Sequence, residues 1–303
     1  MGSAQRVIED DPAAGREYTL VVAVANPLNV QQLMRTAVDL ARDRNGQIRV
    51  TSVVHKHVTS PFILFSDDRI KEEYADAQRA VLDEAVALAA DASVPVKRSL
   101  LVGSDVSDAV LSAVEDADAD ALLLGWQYQS RASDVILGTT VDPVVRRAPC
   151  DVYVERIGTT ADGVDDVLLP TDGGPHVAAA AELAGAVARA NDAAVRVVSY
   201  VEPNAGAADR EAAREHVREA TTMVEDVPVD AGVCEAVAVA EAIVSAAADV
   251  DLVVLGATRE RRLRRRVVGS VAQTVGQRAA PPIIIAKQRS ETSLLRRALG
   301  RWT

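Results

Sequence analysis

An internal repeat constrains the fold of this chain more than any other feature of its sequence. Two segments of equal length, residues 118–154 and 249–285, align without gaps. In both, an apolar run ends in glycine, a polar loop follows, and a glycine with a hydroxyl residue opens the next helical pattern. A chain of 303 residues is long enough for two domains, so the repeat predicts two tandem copies of one unit.

The two copies are predicted to cover residues 16–158 and 164–288, with a basic amphipathic tail over residues 289–303. The starts of the two copies align at one offset along the sequence, and their later segments align at a different, smaller offset. The first copy therefore carries extra residues in its middle, around residues 55–79. A short polar linker near residue 160 joins the two copies.

Each copy reads as strands that alternate with helices. In the first copy we predict strands at 19–25, 48–54, 94–102, 121–125 and 151–155, with helices after Asn29 and ending at Gly46, at 70–92, at 104–116 and at 138–147. In the second we predict strands at 167–171, 195–201, 230–237, 252–256 and 283–287, with helices at 177–190, 209–224, 239–248 and 270–277. This alternation predicts an α/β fold of two tandem doubly wound parallel-sheet domains, with ligands at the carboxyl ends of the strands.

The glycine-bracketed loop has the chemistry of an anion site. A glycine at the strand end lets a ligand approach the backbone, and the free N–H groups of a helix N-terminus favour negative charge. The hydroxyl of Ser270, or of Thr139 in the first copy, either donates to a phosphate oxygen or caps its own helix. A capped helix after an ordinary crossover explains the same pattern, so spacing alone leaves both interpretations open.

These segments resemble the universal stress protein family, whose nucleotide-binding members carry Gly-x2-Gly-x9-Gly-Ser/Thr at this point. Gly256 and Gly269-Ser270 fit that frame in the second copy, as do Gly125 and Gly138-Thr139 in the first. The middle glycine is replaced by Arg259 and by Tyr128. The resemblance covers nearly the whole chain, as a tandem member of haloarchaeal type. It implies a fold like that of the adenine nucleotide alpha hydrolases and binding of ATP or a related adenine nucleotide.

The resemblance also implies that the second copy has the better site. The family holds the nucleoside with an acid after the first strand, which Asp172 matches, whereas the first copy has Asn26 there. Gly103 follows the third strand of the first copy, where the family often has glycine. Tyr200 on the second strand either packs the base or is an ordinary core or rim tyrosine.

Six arginines, in an otherwise acidic protein, crowd the second loop. Three interpretations are open: contact with nucleotide phosphates, contact with an acidic partner or lipid headgroups, and a solvated run paired with local acids. The residues are Arg259, Arg261, Arg262, Arg264, Arg265 and Arg266.

Composition narrows the classes of function. The net charge is −11 with only four lysines, which argues against nucleic acid as a partner and is typical of either a halophile or a high-GC genome. Cys150 and Cys234 stand in separate copies without a Cys/His cluster, and His55 and His57 have no fixed third ligand, so no metal site is expected. The chain has no signal-peptide pattern and no apolar run of membrane-spanning length. We expect a cytoplasmic protein, with peripheral association with a membrane as the alternative.

No catalytic arrangement or Walker lysine is recognisable, so the sequence predicts a binding protein rather than an enzyme, with weak ATP hydrolysis as a lesser alternative. Tandem members of the resembled family also occur fused to amino-acid permeases and antiporters, which implies a second alternative, regulation of a membrane transporter. Its candidate contacts are the basic loop, the segment from Phe62 to Phe65 and the tail. The family pairs through its last strands, so residues 150–155 and 282–287 are expected to meet within one chain; further homodimerisation is possible.

Overall fold

The structure, a computed structural model, describes residues 18–56, 65–127, 137–159, 161, 163–257 and 269–289. The strands of the first copy are β1 Thr19–Ala23, β2 Gln47–His55, β3 Val96–Gly103, β4 Ala121–Trp126 and β5 Asp151–Arg156; those of the second are β6 Asp166–Pro170, β7 Ala194–Val201, β8 Val229–Glu235, β9 Leu252–Gly256 and β10 Ile283–Lys287. The helices are α1 Val30–Asp43, α2 Asp67–Glu73, α3 Asp76–Asp91, α4 Val106–Asp116 and α5 Val141–Arg147, then α6 Val177–Asn191, α7 Ala207–Met223, α8 Val239–Ala246 and α9 Ser270–Arg278.

One ten-stranded sheet runs through both copies in the order β3-β2-β1-β4-β5-β10-β9-β6-β7-β8. The strands of each copy are parallel to one another. The predicted α/β fold, with a doubly wound parallel sheet in each copy, is confirmed. The two last strands meet as expected: β10 pairs with β5 antiparallel, with Ile284 opposite Glu155 and Ala286 opposite Tyr153.

Successive side chains of the inner strands enter two different apolar layers, because strand residues alternate between the faces of a sheet. In β1, Leu20 and Val22 pack with α1, α3 and α6, while Val21 joins the layer under α4, α5, α8 and α9. Both faces are therefore covered, which explains why these strands are almost continuously apolar.

The single helix predicted over residues 70–92 is wrong, since the structure has α2 and α3 with a break at Tyr74 and Ala75. The ring of Tyr74 stacks on Phe65 at 5.4 Å between centroids. Ser66 caps α2 by accepting a hydrogen bond from the backbone N–H of Arg69 at 3.3 Å. This packing keeps α2 a helix separate from α3, within the extra residues of the first copy.

α1 begins directly after Asn29, as predicted, but it ends at Asp43 rather than at Gly46. Asn29 makes no side-chain cap; instead Asn26 accepts from the N–H of Leu28 at 3.0 Å and begins a 3-10 turn that leads into α1. At the other end the left-handed residue is Asn45, with φ 50°. Gly46 is required for a different reason, because a Cβ there would overlap the main chain of Tyr18.

Candidate functional site

The candidate site is a cavity of about 250 Å³ in the second copy. It lies outside the carboxyl ends of β6, β7 and β9, and β6 stands between the other two in the sheet. The chain continues from β6 to β7 and from β9 to β10, in opposite directions along the sheet. Doubly wound sheets bind ligands at such a reversal. We call it the second-copy cavity; it is lined by Pro170, Thr171, Asp172, Gly174, His176, Val177, Ala180, Tyr200, Val239, Ile243, Leu255, Gly256, Ala257, Val271 and Ala272.

A tight turn after β6 presents Asp172 at this cavity. The Asp172 carboxylate accepts from the N–H of Gly174 at 3.0 Å, and the Thr171 hydroxyl accepts from the N–H of Gly173 at 3.2 Å. Gly173 has φ 66°, and a Cβ there would overlap the ring of His216 on α7. The turn therefore needs glycine at Gly173, and it holds an exposed carboxylate beside the cavity.

Gly256, at the end of β9, leaves room against the start of α6. A Cβ at Gly256 would approach His176 no closer than 3.5 Å, an ordinary van der Waals distance. The ring of His176 is fixed from the other side, because its Nδ1 accepts from the N–H of Gln288 at 3.2 Å. The predicted glycine at the strand end therefore borders open space in the second-copy cavity.

The N-terminus of α9 meets the same cavity. Gly269 is the N-cap residue with extended geometry and no side-chain cap, and Ser270 is exposed as the first helical residue. Val271 and Ala272, in the first turn, line the cavity. The first turn carries no acidic residue, so the positive end of the helix dipole is not neutralised from within its own first turn.

Tyr200 stands at the rim, half-buried between the sheet and the cavity. Burial, and to a lesser extent the neighbouring Cys234, raise the pKa of its phenol. Its position suits both interpretations made from the sequence, base packing and a rim tyrosine. Sequence reasoning missed the apolar part of the lining, which includes Ala180 on α6 and Val239 and Ile243 on α8, because those residues read as ordinary core positions.

The corresponding place in the first copy is packed with side chains. A Cβ at Gly125 would lie 2.6 Å from Cγ1 of Ile157 and 3.6 Å from Leu33. Leu33 is the fourth residue of α1, and its counterpart in α6 is Ala180. Larger side chains thus occupy in the first copy the space beside the glycine that is open in the second.

The other first-copy residues are also arranged differently. Gly138 has φ 100° and is followed by a turn through Thr139 and Thr140, so α5 begins only at Val141 and the helix predicted over 138–147 starts too early. Gly103 ends β3, and β2 and β1 separate that strand from β4 and Gly125. The structure therefore does not bring Gly103 and Gly125 together, whereas it gathers Asp172, Tyr200, Gly256 and the Gly269-Ser270 helix start around one cavity.

The model of the universal stress protein family matches residues 18–156 and again residues 163–287. These two matches cover most of the chain. The chain belongs to the universal stress protein family.

Two curated relatives share about a quarter of the aligned residues with this universal stress protein. A Staphylococcus saprophyticus protein named as a universal stress protein is 25% identical over 161 residues, which is 53% of this chain and 90% of the relative. The Na(+)/H(+) antiporter NhaS5 of Synechocystis is 25% identical over 162 residues, or 52% of this chain, but only 22% of the antiporter's own length is covered.

Solved structures share the fold. A universal stress protein from Archaeoglobus fulgidus covers 89% of this chain and 98% of its own, with a TM-score of 0.61 and 16% identity. A universal stress protein from Archaeoglobus fulgidus in complex with dAMP covers 45% of this chain and 96% of its own, with a TM-score of 0.35 and 19% identity. In the described residues of the present universal stress protein, no helix is long and apolar enough to cross a bilayer.

Several sequence-predicted residues of this universal stress protein lie outside the described residues. They are Arg259, Arg261, Arg262, Arg264, Arg265 and Arg266, together with Tyr128, Phe62, His57 and the tail beyond residue 289. Among the described residues no group of three or more His, Cys, Asp or Glu side chains is placed to hold a metal ion. His55 instead contacts the carbonyl oxygen of Ser104 through Nε2 at 3.0 Å.

The junction of the two copies has a polar centre that the sequence did not suggest. Arg156 is buried and donates to the carbonyl oxygens of Gly276 at 3.0 Å and Ala279 at 2.7 Å. Beside it Glu155 accepts from the Gln32 amide at 2.8 Å, and burial raises the pKa of this carboxyl to about 7. Two adjacent charged residues that end an apolar strand are the signal that could have marked this junction.

Proposed function

We propose that the second copy of this universal stress protein binds an adenine nucleotide, ATP or a related one, and that it does so without catalysis. The observation that carries the proposal is the second-copy cavity itself. An apolar wall, the exposed carboxylate of Asp172 and the N-terminus of α9 all border that one cavity.

The dimensions and chemistry of the cavity suit a nucleoside. An apolar cavity of about 150 Å³ is enough to admit benzene, so 250 Å³ has room for the larger base. The Asp172 carboxylate is suited to accept from a ribose hydroxyl or from the adenine amino group. The backbone N–H groups at Gly269 and Ser270 and the dipole of α9 would then face phosphate oxygens.

The ionisable side chains that line the cavity fit a binding and regulatory role better than an enzymatic one. The ionisable groups among its described lining residues are Asp172, His176 and Tyr200. The Nδ1 atom of His176 already accepts from a backbone N–H, and Asp172 is engaged in its own turn. This set resembles a binding pocket more than a nucleophile with an oriented base. We place such a stress-response or signalling function in the cytoplasm.

The first experiment is to denature the protein purified from cells and identify released nucleotides by chromatography. Titration with ATP, ADP, AMP and cAMP then ranks the ligands. Asp172→Ala should weaken binding of the preferred nucleotide by at least about tenfold, while Asp91→Ala, on the exposed end of α3, should leave it unchanged. Equal affinity of the Asp172 variant and the unaltered protein contradicts the proposal. Bound nucleotide returned intact after prolonged incubation supports a non-catalytic role.

A second candidate function is regulation of a membrane transporter such as an amino-acid permease or an antiporter. The match to the Synechocystis antiporter favours it. Regulation would act in trans or from within a larger protein. Co-sedimentation with inverted vesicles that contain an antiporter, compared with vesicles that lack it, tests the idea. Equal binding to both kinds of vesicle at low salt counts against it.

A further inference from the structure

The far edge of the sheet in the second copy is open. β8 is an end strand of the sheet, and five of its seven residues are exposed: Asp230, Ala231, Gly232, Cys234 and Glu235. The other end strand, β3, has one exposed residue among its eight. In the first copy Phe65 and α2 pack against Leu100 and Val102 of β3; in the described part of the second copy, no helix takes the place of α2.

The hydrogen-bonding groups of this edge follow from its pairing with β7. The Pro228 carbonyl accepts from Val195 and the Ala236 N–H donates to Val201, so even-numbered residues of β8 point their backbone groups at β7. The N–H and C=O of one strand residue point to the same side, and neighbouring residues alternate. The backbone groups of Ala231 and Val233 therefore point away from the sheet, as a template for another strand.

A groove of about 680 Å³ runs between this edge and α7. Three arginines spaced four residues apart, Arg210, Arg214 and Arg218, line it, and none of its described lining residues is acidic. The groove also contains Thr221, whose buried Oγ1 has no hydrogen-bond partner among the described residues. This concentration of guanidinium groups stands out on a chain with net charge −11.

The present partners of these arginines are easily exchanged. Arg214 and Arg218 reach Glu211 on their own helix at 3.0 and 2.8 Å, and both side chains are more than half exposed. Arg218 also pairs with Glu215 at 2.8 Å, and Arg210 pairs with Glu235 of β8 at 2.8 Å. Exposed ion pairs of this kind contribute little to stability. An incoming carboxylate can therefore replace them, with more gain if the groove excludes water around it.

From these observations we infer that β8 and α7 form a docking site for an extended acidic peptide segment of a partner protein, which adds an eleventh strand to the sheet. The backbone of the peptide pairs with Ala231 and Val233, and its carboxylates bind Arg214 and Arg218. Strand addition with side-chain selection is an established mode of peptide recognition. Neither β8 nor α7 contributes a residue to the lining of the second-copy cavity, and the inference does not rest on the proposed nucleotide binding.

The test uses the full chain and a fluorescent, end-blocked peptide as long as β8, with Glu alternating with Val. We expect saturable binding by fluorescence anisotropy, weakened by salt, and no binding of the same peptide with Lys in place of Glu. The double variant Arg214→Glu, Arg218→Glu should lower the affinity by at least about tenfold. Arg79→Glu, on the equivalent helix α3, should leave it unchanged.

The second variant, Ala231→Pro, removes an N–H that the sheet does not use, and proline is tolerated in edge strands. It should weaken peptide binding by at least about tenfold while circular dichroism remains that of the unaltered protein. The inference is overturned by absence of binding at millimolar peptide, or by equal binding of the Lys peptide. Full binding to either variant overturns it as well. Concentration-dependent dimers that the same variants abolish also overturn it, because a second copy of the chain would then occupy the edge.

Discussion

The guanidinium of Arg156 in the first copy donates to the carbonyl oxygen of Ala279 in the second copy at 2.7 Å. Ala279 directly follows α9, the helix whose N-terminus borders the second-copy cavity. Nη2 of the same side chain donates to Ala280 at 3.1 Å and Pro281 at 2.5 Å. The end of the first copy thus holds the carbonyl groups that lead from α9 into β10.

Replacement of Arg156 by methionine should lower the free energy of unfolding by about 2–4 kcal/mol, because it leaves several buried carbonyl oxygens without a donor. Urea denaturation followed by circular dichroism measures the loss. Arg98→Met is the matched control, since Arg98 is exposed and pairs with Asp83 on the surface. A change for Arg156→Met no larger than that of the control would show that the junction does not depend on this side chain.

Ala180→Leu should close the second-copy cavity with the side chain that its counterpart Leu33 has in the first copy. Ala180 is buried and lines the cavity, so the larger side chain would take the place of the ligand. We expect nucleotide affinity to fall by at least about tenfold in isothermal titration. Ala208→Leu adds the same atoms at an exposed position of α7 and should have no effect. Undiminished affinity in the Ala180 variant would place the ligand elsewhere.

Gly173→Ala should disturb the turn that presents Asp172. The φ of 66° disfavours any side chain, and the new Cβ would overlap the ring of His216. We expect a loss of about 1–3 kcal/mol in the free energy of unfolding, together with weaker nucleotide binding. Gly232→Ala is the control, because a Cβ there meets nothing within 4 Å. The double variant Gly173→Ala, His216→Ala should recover part of the stability; no recovery would mean that the clash is not the cause.

The raised pKa of Glu155 predicts that the stability of the protein depends on pH. Burial raises its pKa from 4.5 to about 7 in the folded protein, where Arg35, Asp39 and Asp251 face the same small cavity. The folded state therefore keeps a proton that the unfolded state has released. The stabilisation from this group is complete below a pH of about 4.5 and is lost as the pH rises through about 7.

Glu155→Gln should remove most of that decline, a difference of about 3 kcal/mol between pH values of about 4 and 8. Asp39, whose pKa is raised to about 6 by burial, contributes in the same direction and remains in the variant. Urea titrations at several pH values, with Glu84→Gln at a partly exposed position of α3 as control, measure the slopes. Parallel pH profiles for the Glu155 variant and the unaltered protein would contradict the burial of a neutral carboxyl.

Local sequence patterns predicted the parallel sheet of each copy well. Buried strands are apolar on both faces, and the residues that cap the connecting helices stand next to those helices in the sequence. Asp105, for example, caps α4 through the N–H of Asp108 at 3.0 Å. The break at Tyr74 was missed because it depends on stacking with Phe65, and the periodicity of residues 70–92 continues across it.

The candidate site was predictable where its residues follow strand ends, as Asp172 and Gly256 do. The packing by which the first copy differs from the second was not predictable. Ile157 reaches Gly125 only because β4 and β5 are neighbours in the sheet, and no local pattern encodes that contact. Arg156 and Glu155 bind residues more than a hundred positions away, so their roles need the assembled sheet. The halophilic composition and the arginine-rich loop stay predictions.

The antiparallel pairing of β5 with β10 has a consequence for how this molecule can change over evolutionary time. In a dimer of identical chains, any substitution appears in both halves, so the two halves cannot become different from each other. Here the pairing lies within one polypeptide, and each half mutates alone. Ile157 and Leu33 fill one crevice while Ala180 leaves the other open. The proposed nucleotide binding therefore predicts one ligand per chain rather than one per domain.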